Sequence, residues 1–280
     1  MKYFFETIFN NPQLLSNNSS EYKQLSKELR SAIEASDLSS KEPKDIDFQP
    51  FGPIKLPFHE MGAINSLDLF GLDEMIIFAF YWLNRDRYKR SADIGANLGI
   101  HSILMDKCGW NVTAFEPDPD HAELLHDHLK LNHSDKVTVV EAAVSADSGN
   151  MEFTRVLGNT TSSHLTGAKE NAYGELETFP VKVISIKSIM PSVDFIKMDA
   201  EGHEKTIILA TDQEDWKSTE MMLEIGSKDN ALAIFNHLQH LKLHAFAQKI
   251  GWKEVHELSQ MPINYKEGSL FITPHLSMSW

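Results

Sequence analysis

Residues 91–105 read SADIGANLGIHSILM, and their pattern decides the fold. An apolar run ends at Asp93 and Ile94, the segment Gly95-Ala96-Asn97-Leu98-Gly99 turns, and helical periodicity begins behind Gly99. Gly95 permits a tight turn, and Gly99 permits close backbone approach at a helix start. The unpaired amides of that helix start then face whatever binds there. The same alternation continues outward. Residues 91–94 predict a strand and 99–108 a helix, 111–115 a strand and 119–132 a helix, and 137–142 a third strand. Residues 195–199 and 221–225 follow as apolar strands, each with a helical segment behind it, and 270–274 as a late strand. Strand and helix in alternation predict an α/β chain with a mostly parallel, doubly wound sheet and helices on both faces. In such sheets ligands sit at the carboxyl ends of the strands, near the point where strand order reverses.

The glycine turn departs from G-x-G-x-x-G, because Asn97 stands where the middle glycine would let a pyrophosphate come close. Asp93 adds negative charge where a diphosphate is disfavoured and an ammonium is welcome. Both features point away from a nicotinamide dinucleotide and towards S-adenosylmethionine. The second strand ends in VTAFEP, with Glu116 about 20 residues beyond the turn, where an acidic residue accepts ribose hydroxyls. The third strand ends at Glu141, Ala142 and Ala143, beside the adenine edge.

A second dense motif is FIKMDAEGHE, residues 195–204. Asp199, Glu201, His203 and Glu204 crowd one strand end, where they repel each other unless a proton, cation or substrate intervenes. Helix capping explains Glu204 through the dipole of the following turn. It does not require Asp199, which is expected to point at the sulfonium or the substrate. A hydroxyl acceptor needs a base or a metal ion to take its proton. His203 or Asp199 is the candidate base, with Glu201 orienting it or the acceptor. The alternative is a Mg²⁺ held by Asp199, Glu201 and Glu224; the reading without metal is preferred. Residues 151–156 and 179–186 alternate like half-buried strands and either pair as a hairpin or extend the sheet. The loop between them, about 157–178, is rich in Gly, Ser, Thr and Asn and is expected to act as a mobile lid. Its Asn159, Thr161, Ser162, Ser163 and His164 are suited to gripping a polyol.

Together, DIGANLGIHS, FEPDP, EAAVS and IKMDAEGHE, in this order, resemble the FkbM family of S-adenosylmethionine-dependent methyltransferases over roughly residues 70–227. The resemblance implies a Rossmann-like class I methyltransferase fold and methylation of a hydroxyl on a sugar, glycan or other natural product, with S-adenosylhomocysteine as product. Carried over by position, Asp93, Gly95, Asn97, Gly99 and Glu116 contact the cofactor, with Ala96, Ser102, Pro117, Ala142 and Asp199 beside them. Asp199 and Glu201 line the reaction site, with His203 and Glu224 near. Two other readings stay open: N-methylation of an amine or peptide side chain, and a non-catalytic adenosine-binding module.

At 280 residues the chain is one large domain or a domain with an appendage. We divide it into an N-terminal helical and linker segment, 1–66, and a catalytic domain, 67–280. The first segment opens with an amphipathic pattern, MKYFFETIFNNPQLL, and a second helix capped by Ser19 or Ser20. Residues 37–57 read as a linker crossing the surface. Aromatic residues such as Phe51, Phe58, Tyr81 and Trp82 read mainly as core. Lys plus Arg total 26 against 40 Asp plus Glu, a formal charge of -14, which disfavours nucleic acid and anionic membrane surfaces as partners. The single cysteine, Cys108, excludes an intrachain disulfide and a cysteine-based zinc site. No apolar run reaches the roughly 18 residues of a membrane span, and a reducing cytoplasm is the expected setting.

Overall fold

The computed structural model describes residues 1–11, 15–169 and 174–280. Two helices open the chain, α1 (Lys2–Asn10) and α2 (Ser20–Glu34), followed by a minimal hairpin of β1 (Ile46–Asp47) and β2 (Pro53–Ile54) and the apolar helix α3 (Leu72–Leu83). The alternating part comprises β3 (Arg90–Ile94), α4 (Ile100–Lys107), β4 (Asn111–Phe115), α5 (Pro119–Asn132) and β5 (Val137–Val140). Four strands and a short helix come next: β6 (Ala143–Ser145), β7 (Gly149–Val156), β8 (His164–Leu165), β9 (Leu176–Ser185) and α6 (Ile186–Ile189). The chain then runs through β10 (Phe195–Met198), α7 (Glu204–Leu209), β11 (Glu220–Leu223), α8 (Lys228–Leu241), β12 (His244–Ala247), β13 (Lys253–Glu254) and β14 (Leu270–Thr273).

The main sheet has the order β13-β12-β14-β11-β10-β3-β4-β5. Strands β5, β4, β3, β10 and β11 run parallel, and β14 enters antiparallel between β11 and β12. The order reverses between β3 and β10, so the carboxyl ends of those two strands define the ligand crevice. Alternate residues of the central strands serve two cores. Phe195 and Met222 face the core shared with α3, whereas Ile196, Met221 and Leu223 face that of α7 and α8. Burial on both faces explains why these strands read as continuous apolar runs.

The two alternating segments do pair as a hairpin: β7 and β9 run antiparallel, Phe153 opposite Phe179. They do not extend the main sheet. With β6 and β8 they build a separate four-stranded sheet of order β6-β9-β7-β8. The loop between them is also more structured than a lid of irregular chain, since it holds one helical turn at Thr160–Ser162 and strand β8. Its residues 170–173 lie outside the described residues.

The stretch read as a surface linker is instead anchored. Phe48, Phe51, Ile54 and Leu56 are buried, spaced too irregularly to show a period. Phe48 meets Phe5 of α1 edge-on at 5.5 Å, and Phe70 and Phe78 at 5.7 and 6.2 Å. Leu25, Leu29 and Ile33 of α2 enter the same core as Phe78 and Phe195. Each such side chain contributes on the order of 1.5–3 kcal/mol by leaving water. Ser19 caps α2, its hydroxyl accepting from the Tyr22 amide at 3.0 Å. Phe51 and Tyr81 are core, and Phe58 and Trp82 pack against it. Among the described residues no helix is long and apolar enough to cross a membrane.

Candidate active site

The site begins where β3 ends. Gly95 takes φ +76, and its amide and that of Ala96 donate to the Phe115 carbonyl, both at 3.0 Å. Asn97 is left-handed at φ +51, a conformation that asparagine tolerates better than most residues. The turn thereby aims the Asn97 amide at Glu116 Oε2, 2.7 Å away, while the Asp118 amide donates to Oε1 at 2.9 Å. Burial pushes the Glu116 carboxyl up to about 7, against the pull of those two amides, and the charges of Asp118 and Asp93 add to the rise. Gly99, at φ +87, starts α4 against α5, where a Cβ would stand 2.3 Å from Leu125 Cδ1.

Strand β10 delivers the second half. Asp199 follows it directly, its amide bound to the Ile94 carbonyl at 2.9 Å and its carboxylate 3.9 Å from Lys197 Nζ. Glu201 sits at φ +50, a strained position for a residue other than glycine. Burial and then the Asp199 charge push its carboxyl up to about 7, although Lys169 forms an ion pair with it. Glu204 caps the turn, accepting from the amides of Ala200 and Gly202 at 3.0 and 3.1 Å. Burial and Asp199 push it, too, up to about 7. His203 is buried with Nε2 2.8 Å from Ser145 Oγ, and burial lowers its pKa, which favours the neutral ring. Glu224, just past β11, is raised well above the usual carboxylate range by burial and then by Asp199 and Glu74. Burial alone would lower the pKa of the Lys197 ammonium, but Asp199, Asp93, Glu74 and Glu224 together raise it.

These elements enclose a cavity of about 370 Å³, within the range of small-molecule sites. Gly95, Asn97, Glu116, Pro117 and Ala142 line it, and so do Asp199, Glu201, His203 and Glu224. Thr161, Ser163 and His164 of the loop are also on its wall. Asp93, Ala96, Gly99 and Ser102 stand behind the wall instead. Asp93 is fully buried and turned towards α4, accepting from Ser102 Oγ at 2.6 Å, so it does not reach the cavity directly as its place in the sequence suggests. Asn159 and Ser162 are likewise off the wall, bonded to each other at 2.9 Å. Glu141 is exposed, 3.7 Å from His126. Among the described residues no three His, Cys, Asp or Glu side chains converge so as to hold a metal ion.

Residues 93–253, spanning both halves of the site, match the family model described as Methyltransferase FkbM domain.

The chain belongs to the FkbM methyltransferase family.

It is therefore an S-adenosylmethionine-dependent methyltransferase, built on a Rossmann-like, doubly wound sheet. No curated protein matches it. Solved methyltransferases are similar at low identity, among them the precorrin-6Y C5,15-methyltransferase of Geobacter metallireducens, at 17% identity over 68% of this chain and 82% of that one, TM-score 0.37. Another is the O-methyltransferase TomG of Streptomyces achromogenes, solved with SAM, at 11% identity over 70% and 77%, TM-score 0.37. A third is a putative RNA methyltransferase of Pyrococcus horikoshii, at 11% over 89% and 96%, TM-score 0.37.

In this FkbM methyltransferase several wall residues carry no sequence signal. Glu74, in the first turn of α3, reaches the cavity and pairs with His101 Nε2 at 2.9 Å, whose Nδ1 meets Tyr81 Oη at 2.8 Å. Its two neighbouring acids in DLFGLDE read only as a charged helix end. His121 of α5 lines the wall and meets Thr160 Oγ1 at 3.0 Å. Ile64 and Leu69 enter from before α3, and Tyr265 from the region between β13 and β14, both regions without a motif. Lys197, which stands behind the wall, is visible in FIKMD but reads as an interruption of an apolar strand.

Proposed function

We propose that this FkbM methyltransferase methylates a hydroxyl oxygen of a small molecule or glycan. The observation that carries the reading is the convergence of Asp199, Glu201 and His203 on the cavity that Glu116 and Asn97 also line. The site suits the cofactor. Each Glu116 oxygen has one amide donor and a further lone pair for a ribose hydroxyl. Asn97 Oδ1 is buried with no partner among the described residues and can accept a ligand donor. Pro117 and Ala142 offer an apolar edge for the adenine, and the carboxylates of Asp199 and Glu74 favour a cationic group. Gly95, Gly99 and Ala96 shape the turn, and Asp93 and Ser102 brace it from behind.

The bound cofactor supplies an electrophilic methyl group on a sulfonium. The chain must align the acceptor and receive its proton. A neutral His203 is in the right form to take that proton, and Asp199 is the other candidate. Glu201, tied to Lys169, orients the acceptor hydroxyl. Ser163 and His164 on the opposite wall hold the remaining hydroxyls, with Asn159 and Ser162 stiffening that loop. The direct test uses methyl-labelled cofactor with a panel of sugars, glycosides and amines, read by mass shift. Asp199→Asn, Glu201→Gln and His203→Ala are then assayed singly on the product found. Near-native rates in all three remove the base assignment, and an amine product moves the acceptor to nitrogen.

A further inference from the structure

Apart from its histidines, the titratable side chains that carry charge on the cavity wall are all acidic. Seven acids line it, Asp68, Asp118 and Glu201 among them, and among the described residues no lysine or arginine does. Residues 12–14 and 170–173 contain neither type. The cations closest behind the wall are already committed. Arg155 donates from Nε and Nη2 to both oxygens of Asp118 at 2.8 and 2.5 Å. Its Nη1 serves Asp120 and Glu177 at 2.9 and 3.0 Å. Lys169 is held by Glu201, and Arg30 by Asp68 and Glu34, both at 2.6 Å. Lys197 is buried and outnumbered by its carboxylate neighbours. Lys266 is exposed at the rim, 5.6 Å from the centre of the Tyr265 ring, where solvent screens it.

The rest of the acceptor wall is of mixed character. Thr160, Thr161 and Ser163 supply hydroxyls, while Ile64, Leu69 and Phe153 supply apolar surface. Sites that bind phosphate or carboxylate present fork-like guanidinium groups, ammonium groups or free helix amides. Here the cations close behind the wall are already paired with carboxylates, so among the described residues a negative group would meet acidic side chains and no free cation there, and like charge at close range is a strong means of rejection. Burial first, and then the charge of Asp199, raises the carboxyls of Glu201 and Glu224 on the same wall. Building on the methyl-transfer reading above, we propose that the acceptor is an uncharged polyhydroxylated compound with an apolar face, such as a neutral glycoside. Sugar phosphates, nucleotide-linked sugars and uronic acids are rejected.

Two measurements test this. In the first, neutral glycosides and their phosphate esters are compared as acceptors with methyl-labelled cofactor. The neutral compound is expected to react about tenfold faster or more, and a phosphate ester outrunning its neutral parent overturns the proposal. In the second, protein saturated with S-adenosylhomocysteine is titrated with inorganic phosphate at millimolar concentrations and followed by amide NMR. Unshifted amides at Thr161, Ser163 and His164 support the proposal, and saturable shifts at those amides overturn it. Absence of transfer to every hydroxyl compound sinks the methyl-transfer reading, while the phosphate titration still decides the charge question.

Discussion

The carbonyl oxygen of Asp199 occupies the space that a side chain at Gly95 would need. A Cβ there would stand 1.9 Å from it, and Gly95 holds φ +76. The two richest motifs of the sequence therefore interlock through backbone, across the neighbouring strands β3 and β10. Gly95→Ala must push these strand ends apart. We expect a loss of stability of roughly 1–3 kcal/mol or more together with loss of S-adenosylhomocysteine binding. Thermal unfolding and calorimetry check both, and a variant with unchanged affinity contradicts this packing.

Glu204 gives a pH signature. Its carboxyl is pushed up to about 7, so the folded protein keeps a proton that the unfolded chain has lost by then. Below the unfolded value the contribution is fully present, and stability falls as pH rises towards about 7, then levels. Glu204→Gln keeps an acceptor for the two amides and removes the titration. The stability of the variant relative to the native protein should rise between pH 5 and 7.5, with a ceiling of about 3 kcal/mol. Denaturant melts across that range measure it, and a constant difference refutes the assignment.

Arg155 ties the small sheet to the segment after Glu116. Asp118 is almost fully buried, so Arg155→Leu leaves a desolvated carboxylate behind. The expected cost is about 3–5 kcal/mol. The double change Arg155→Leu with Asp118→Leu should recover part of it. Additive losses in denaturant titrations would mean the pair acts independently.

Gly62 and Gly158 are packed back to back: a Cβ at Gly62 would lie 2.1 Å from the Gly158 oxygen. The Ala63 amide donates to Gly158 at 2.7 Å, and the Thr160 amide to Met61 at 3.1 Å. Gly62→Ala breaks this seam beside the wall residues Ile64, Thr160 and Thr161, which we propose face the acceptor. The acceptor KM should rise severalfold while the affinity for S-adenosylhomocysteine holds. Equal loss in both would show that the acceptor and cofactor parts of the cavity are not separable.

The glycine turn, Glu116 and the acidic strand end were legible because each combines a backbone demand with a charge at a strand terminus. Side-chain direction was not. Asp93 sits at the expected strand end, yet its carboxylate turns to Ser102, a choice made by α4 packing rather than by spacing. The small sheet was half legible: period-two alternation marks β7 and β9 as strands but does not say which sheet takes them. Ile64, Leu69 and Glu74 reach the cavity through tertiary folding of a segment with no local motif, so no pattern could announce them. Strand β12 escaped for a related reason, since four residues of HAFA show neither a period nor turn punctuation.

The seam at Gly62 has a practical corollary. Because this part of the cavity wall is stitched from two stretches far apart in the chain, a loop grafted from a relative would arrive without its matching edge. Re-engineering the preference of this scaffold calls for exchanging both stretches as one cassette.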